Sequence, residues 1–151
     1  MNLLSQRISK ELLRAFKRGN KLIVIGNGGS SALSDHLVAE MLCRFTKERR
    51  PLPAISLNCP AVLTAIGNDY GYPFVFRRQI EALGNKGDVL VTMTTSGHSA
   101  NVLWAEDKAK ELGVKVFRLP TNQETGLSTA KTQELHLEMI HEISALVEVG
   151  V

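Results

Sequence analysis

The sequence predicts an α/β protein, a three-layer sandwich in which a parallel sheet of about four to five strands is flanked by helices. Three observations predict it. A short apolar run, Lys21 to Ile25, meets the turn Gly26-Asn-Gly-Gly29 and then a helical pattern. The strand Asp88 to Met93, the polar loop Thr94 to Ser99 and the helix Ala100 to Leu112 repeat that order, and Val114 to Leu119 follows as a further strand. Repeated strand-loop-helix units build parallel sheets through right-handed crossovers, and ligands of such sheets gather beyond the carboxyl ends of the strands. A chain of 151 residues has the size of one such domain, here spanning 1–151.

Taken in order, Leu4, Ile8, Leu12, Leu13 and Phe16 recur at helical spacing, and Arg18-Gly19-Asn20 ends the run, predicting a helix over 2–18. After the glycine turn, Leu33, Leu37, Val38, Met41, Leu42 and Phe45 mark one face of a helix over 32–45. Arg49 to Pro53 is an extended connector, because prolines disfavour helix in the residue before them, and Ala54 to Leu57 is a short strand. Ala61 to Ile66 reads as a brief helical turn closed by the polar loop Gly67 to Gly71, and Phe74 to Leu83 as a helix ending at Gly84. Pro120 to Ser128 is loop-like. Thr129 to Val149 is a long helix carrying Leu135, Leu137, Met139, Ile140, Ile143, Leu146 and Val147.

Composition narrows the function. A hydrophobic fraction of 44% with 22% charged residues is that of a soluble globular protein. The net charge of +3 is too small and too scattered for nucleic acid, and its densest patch, Lys47 to Arg50, is broken by Glu48. An anionic small molecule suits it better. No stretch reaches the ~18 apolar residues of a membrane span. Cys43 and Cys59 form no Cys-x-x-Cys pair and no signal peptide precedes them, so they read as reduced thiols of a cytoplasmic protein.

Two motifs carry chemistry. At the glycine corner, Asn27, Gly28, Gly29 and Ser30 open a helix whose amides and dipole suit an anion, most often phosphate. The third position of a dinucleotide fingerprint is Ser31 rather than glycine, no acidic residue ends the next strand, and there is no Gly-Lys-[Ser/Thr], so nicotinamide and P-loop readings fail. What remains is a hydroxyl-lined cradle of Ser30, Ser31, Thr94, Thr95, Ser96 and Ser99, any one of which could equally be an ordinary helix cap. The second motif is His36 and Glu40, four residues apart on one helix face. Such a pair can share a metal ion or a proton-transfer task, or be a solvated surface pair. Gln133 and His141 on the last helix return to within about a quarter turn of one another, while His136 points elsewhere, as a structural or exposed residue.

Together, Gly26-Asn-Gly-Gly-Ser30, Asp35-His36-x3-Glu40, Arg50-Pro-Leu-Pro-Ala54, Leu63-Thr-Ala-Ile-Gly-Asn-Asp-Tyr-Gly71, Glu81-Ala-Leu-Gly84, Gly87-Asp-Val-Leu90, Thr95-Ser-Gly-x-Ser-x-Asn-Val102 and Gln133-Glu-x-His-x4-His141 resemble the sedoheptulose 7-phosphate (phosphoheptose) isomerases of the sugar isomerase, or SIS, fold, a flavodoxin-like sheet. The resemblance covers 20–112 and resumes near 129. It implies a Zn2+ ion, one per subunit, on His36, Glu40, Gln133 and His141, with Glu40 and His141 as the proton-transfer pair. It implies a sugar phosphate held by the glycine corner (Asn27, Gly28, Gly29), Ser30, Thr94, Ser96 and Ser99, with Asp69, Thr95 and Gln133 as further contacts. It also implies a homotetramer with active sites at subunit interfaces, and a product used for the heptose of bacterial lipopolysaccharide. A non-catalytic SIS protein that binds a sugar phosphate or a protein, like replication-initiator-binding relatives, is the alternative. Keeping His36, Glu40, Gln133 and His141 together argues against it. The chain departs from the family in lacking an extra N-terminal helix, in Thr94 and His98 where serine and asparagine are common, and between Phe117 and Thr129, where a helix and a strand are missing. The expectation is a sheet shortened at one edge.

Overall fold

The computed structural model describes residues 2–151. Its elements are α1 (Leu3–Lys17), β1 (Leu22–Gly26), α2 (Gly29–Leu42), β2 (Ala54–Ser56), α3 (Pro60–Tyr70), a 3-10 turn (Tyr72–Phe74), α4 (Arg77–Leu83), β3 (Val89–Met93), α5 (Ala100–Glu111), β4 (Lys115–Arg118), α6 (Asn122–Thr125) and α7 (Thr129–Gly150). The four strands are all parallel, in the order β2-β1-β3-β4. β1 and β3 are fully buried, as their unbroken apolar runs require of strands covered on both faces.

Alternation along these strands sends side chains into two separate cores. Leu22, Val24, Val89, Val91, Met93 and Phe117 join Ile8, Leu12 and Phe16 of α1, Leu37 and Met41 of α2, and Ile140, Ile143 and Val147 of α7. Ile23, Ile25 and Leu90 point the other way, onto Phe76, Ile80 of α4 and Val102, Ala105 and Ala109 of α5. The sheet is therefore sandwiched, and α2 and α7 lie on the same face of it. That neighbourhood is what allows side chains some hundred residues apart to meet.

Three elements differ from the sequence expectation. α2 begins at Gly29, three residues early, and ends before Phe45, because Arg49 folds back to donate to the carbonyls of Glu40 and Met41 and closes the helix with a cation. α3 runs on through Gly67, Asn68 and Asp69, which read as a loop; Pro60 starts it and Gly71, at φ 95°, stops it. Within Pro120 to Ser128 a single helical turn forms, fixed by a reciprocal capping box in which Thr121 accepts from the Glu124 amide and Glu124 accepts from that of Thr121. The short sheet expected from the sequence is observed. β4 pairs with β3 alone among the described residues and passes through α6 directly into α7.

Candidate active site

The site is built where the carboxyl ends of β1 and β3 meet the starts of α2, α5 and α7. A pocket of about 290 Å³ is lined there by Asn27, Gly28, Gly29, Ser30, Met93, Thr94, Thr95, Ser96, Ser99, Thr129 and Gln133. Two independent loops supply it. Gly28 takes φ 56° with ψ −123°, a conformation L residues avoid, and this turns the chain so that α2 begins at once. In the second loop the Thr94 hydroxyl accepts from the Gly97 amide at 3.2 Å and lies 3.3 Å from the Ser99 hydroxyl, while Ser96 accepts from the His98 amide at 3.2 Å. These hydroxyls shape the loop and still face the pocket. The arrangement offers hydrogen-bond donors from two helix starts to one anionic group. Of the proposed cradle, Ser31 alone is outside the pocket lining.

The second half of the site lies farther along α2 and α7. His36 Nε2 is 3.1 Å from a Glu40 oxygen and 3.2 Å from His141 Nε2. Their three donor atoms lie within 4.8 Å of one another, and each side chain is partly exposed. Zinc bound by nitrogen and oxygen at ~2.0–2.1 Å in tetrahedral geometry separates its donors by about 3.3 Å, so these spacings match the edges of such a tetrahedron. Two imidazoles and a carboxylate are also the donor chemistry zinc favours. Phe45 packs against the His141 ring, tilted by 31° with centroids 5.5 Å apart.

Phe45 is held in place from α7. Burial works to raise the Glu148 carboxyl, but bonds from the Thr46 hydroxyl and from the amides of Thr46, Phe45 and Lys47 outweigh it and bring it down to about 2.

The remaining candidates are distributed unevenly. Gln133 has its carboxamide against Gly29, where a Cβ would meet Gln133 Nε2 at 2.7 Å. It therefore faces the anion pocket, about 12 Å along α7 from His141, and lies between the two halves of the site. Asp69 is exposed near the end of α3 and is absent from the pocket lining; α3 meets the core only through the half-buried Leu63 and Ile66, on another part of the helix. His136 is fully buried and its Nε2–H donates to the Pro120 carbonyl at 2.7 Å, with burial first and foremost lowering its pKa, so it holds the β4–α7 connection.

Comparison with known proteins decides the family. The SIS domain family model matches residues 6–119. The phosphoheptose isomerase of Pelobacter propionicus is 45% identical over 156 positions, covering 93% of this chain and 82% of that protein. This chain belongs to the phosphoheptose isomerase family. The phosphoheptose isomerase of Aquifex aeolicus is 43% identical over 89% of the chain and 78% of its own length. The solved phosphoheptose isomerase of Neisseria gonorrhoeae superposes with a TM-score of 0.87 at 34% identity, covering 97% of this chain and 85% of that one. The Pelobacter alignment is longer than the 151-residue chain itself, so the relative has positions without a counterpart here.

Sequence reasoning missed Met93 and Thr129 of the pocket lining, and three residues that support the site. Asn101, three percent exposed in the first turn of α5, and Tyr72 both bond to Asn27. Asn101 stood within a quoted motif, yet nothing in its spacing named its partner. Phe45 was read as a core residue of α2.

Proposed function

We propose that this chain is an aldose-ketose isomerase that converts sedoheptulose 7-phosphate to D-glycero-D-manno-heptose 7-phosphate. The observation that carries the reading is the His36, Glu40 and His141 cluster on the same two helices whose starts line the hydroxyl pocket. The phosphate binds the amides of Gly28 and Gly29 and the hydroxyls of Ser30, Thr94, Thr95, Ser96 and Ser99. Binding energy gathered there orients the reacting end of the sugar, which lies toward His36.

Moving the carbonyl from C2 to C1 takes a proton from C1, passes through an enediol and returns a proton to C2. Glu40 is the base that abstracts the C1 proton. His141, its ring fixed by Phe45, moves the proton between the oxygens of the enediol. Gln133, with one end at the pocket, donates to a sugar hydroxyl and holds the chain of the substrate between the two halves. His36, Glu40, His141 and, with its side chain turned along α7, Gln133 would hold one Zn2+, which when bound supplies positive charge beside the developing oxyanion.

The active unit is a homotetramer in the cytoplasm whose product enters lipopolysaccharide heptose synthesis. An eleven-residue helix, α3, with Val62 and Ala65 exposed supports assembly, since such a face gains by being covered. It also accounts for Asp69, which would reach the pocket of a neighbouring copy.

The test is to incubate the protein with sedoheptulose 7-phosphate and follow aldose formation. Turnover is expected, and loss of it on chelation, restored by zinc at about one ion per chain. Full activity at zero metal content would remove the metal from the reading, and no aldose with metal present would remove the reaction.

A further inference from the structure

The two anion-binding loops are joined by a feature that the catalytic reading leaves unused. Asn27 of the glycine corner and Asn101 of α5 exchange hydrogen bonds head to tail: Asn101 Nδ2 donates to Asn27 Oδ1 at 2.8 Å, and Asn27 Nδ2 donates to Asn101 Oδ1 at 3.0 Å. A reciprocal pair of carboxamides is planar and has one good separation, so it fixes the distance between the backbones that carry it. The second lone pair of Asn27 Oδ1 accepts from the Tyr72 hydroxyl at 3.2 Å. Tyr72 opens the 3-10 turn directly after α3, and its neighbour Phe74 packs edge-on against Trp104 of α5 at 5.1 Å.

We propose that Asn101, with Tyr72, is a positioning residue that ties the β1–α2 loop to the β3–α5 loop and sets the width of the phosphate cradle. The Asn27 carboxamide oxygen and one of its two Nδ2 hydrogens are used by this tie, so the side chain keeps a single N–H for an anion beside the backbone amides of Gly28 and Gly29. The tie also fastens the exposed α3 segment to the pocket through one phenol. An anion bridging both loops binds tightly only if its two sets of donors are already at the right spacing, because a cradle that must be narrowed on binding loses affinity by the cost of ordering it. Glu40 and His141 lie outside the tie, so the chemical step is spared.

This inference rests on the pocket being a phosphate site, and its test does not require turnover. Inorganic phosphate is titrated into the full-length protein by 31P NMR, and KM and kcat for sedoheptulose 7-phosphate are measured beside it. Asn101→Ala is expected to weaken phosphate about ten-fold and raise KM in step, with kcat changed less than about three-fold. Tyr72→Phe, at an exposed residue that leaves the core intact, weakens phosphate by about two- to three-fold, and adds nothing on top of Asn101→Ala because the tie is already broken. Unchanged phosphate affinity in a folded Asn101→Ala, or in Tyr72→Phe if the first does not fold, overturns the proposal. So does a loss confined to kcat. Phosphate affinity that responds as expected in a protein without isomerase activity would uphold the tie and reject the reaction instead.

Discussion

The two strand-loop-helix corners that meet at the pocket have the same topology and different contents. The first is made of glycines, and its helix goes on to carry His36 and Glu40 within reach of His141. The second is made of hydroxyls, and its helix carries no group directed at the ligand. Its buried acid, Glu106, accepts from Thr92 of β3 at 2.6 Å and pairs with Arg118 of β4. On the proposed reading the first corner holds and reacts, whereas the second holds and braces the sheet. The difference follows from what each helix lies against: α2 packs beside α7, which brings its own imidazole, while α5 packs on the opposite face with α4.

The sharpest way to break this comparison is to damage each corner separately. Glu40→Gln removes the proposed carbon base and is expected to lower kcat by about 10³-fold while phosphate affinity stays within about two-fold. Ser96→Ala in the second corner should do the opposite, raising KM by up to about ten-fold with kcat nearly unchanged. Steady-state kinetics with phosphate titration read both, and two substitutions that moved the same parameter would show that the corners are not divided in this way.

A smaller effect tests the bracing role. Glu106→Gln keeps the shape and removes the charge beside Arg118, whose pKa is raised first of all by its bond to Glu106. A loss of about 2 kcal/mol in denaturant unfolding is expected, with KM unaltered. A change in KM without loss of stability would place Glu106 in the site after all.

The smallest effect concerns the support behind His141. The Glu148 carboxyl titrates at about 2 in the folded chain against an ordinary value of 4.5. A depressed folded value means that its contribution to stability is complete above about pH 4.5 and is lost as pH falls toward 2. Melting temperatures of the wild type and Glu148→Gln should therefore differ most at neutral pH and converge over that window. A gap that stayed constant down to pH 2 would mean that the bonds to Thr46 and Phe45 do not depend on the charge.

Much of the fold was legible because β-branched runs and glycine turns repeat in a fixed order, and burial on both faces leaves such strands few alternatives. The misread stretches are those where local signals conflict. Gly67, Asn68 and Asp69 are turn formers, yet α3 is exposed, so breakers cost it little packing and Pro60 and Gly71 set its ends. The α6 turn did have a signal, Thr121-x-x-Glu124, but it is a single turn surrounded by loop-forming residues. At the site, the His36 and Glu40 pair was visible in its i,i+4 spacing. Its meeting with His141 is a property of how α2 and α7 share a face, which spacing does not encode. The Asn27 and Asn101 pair joins residues 74 apart, one in a loop and one in the first turn of α5, and such tertiary pairings have no periodicity to read.

The sheet stops at β4, four residues long, with Lys115 exposed at one end and Arg118 near the other. An unprotected strand edge is a template on which further copies can stack into fibrils. Brevity and the exposed Lys115 make this one a poor template, since a short edge strand carrying a solvated lysine resists pairing with a second copy. A sheet that ends on so short a strand can in this way resist runaway self-stacking.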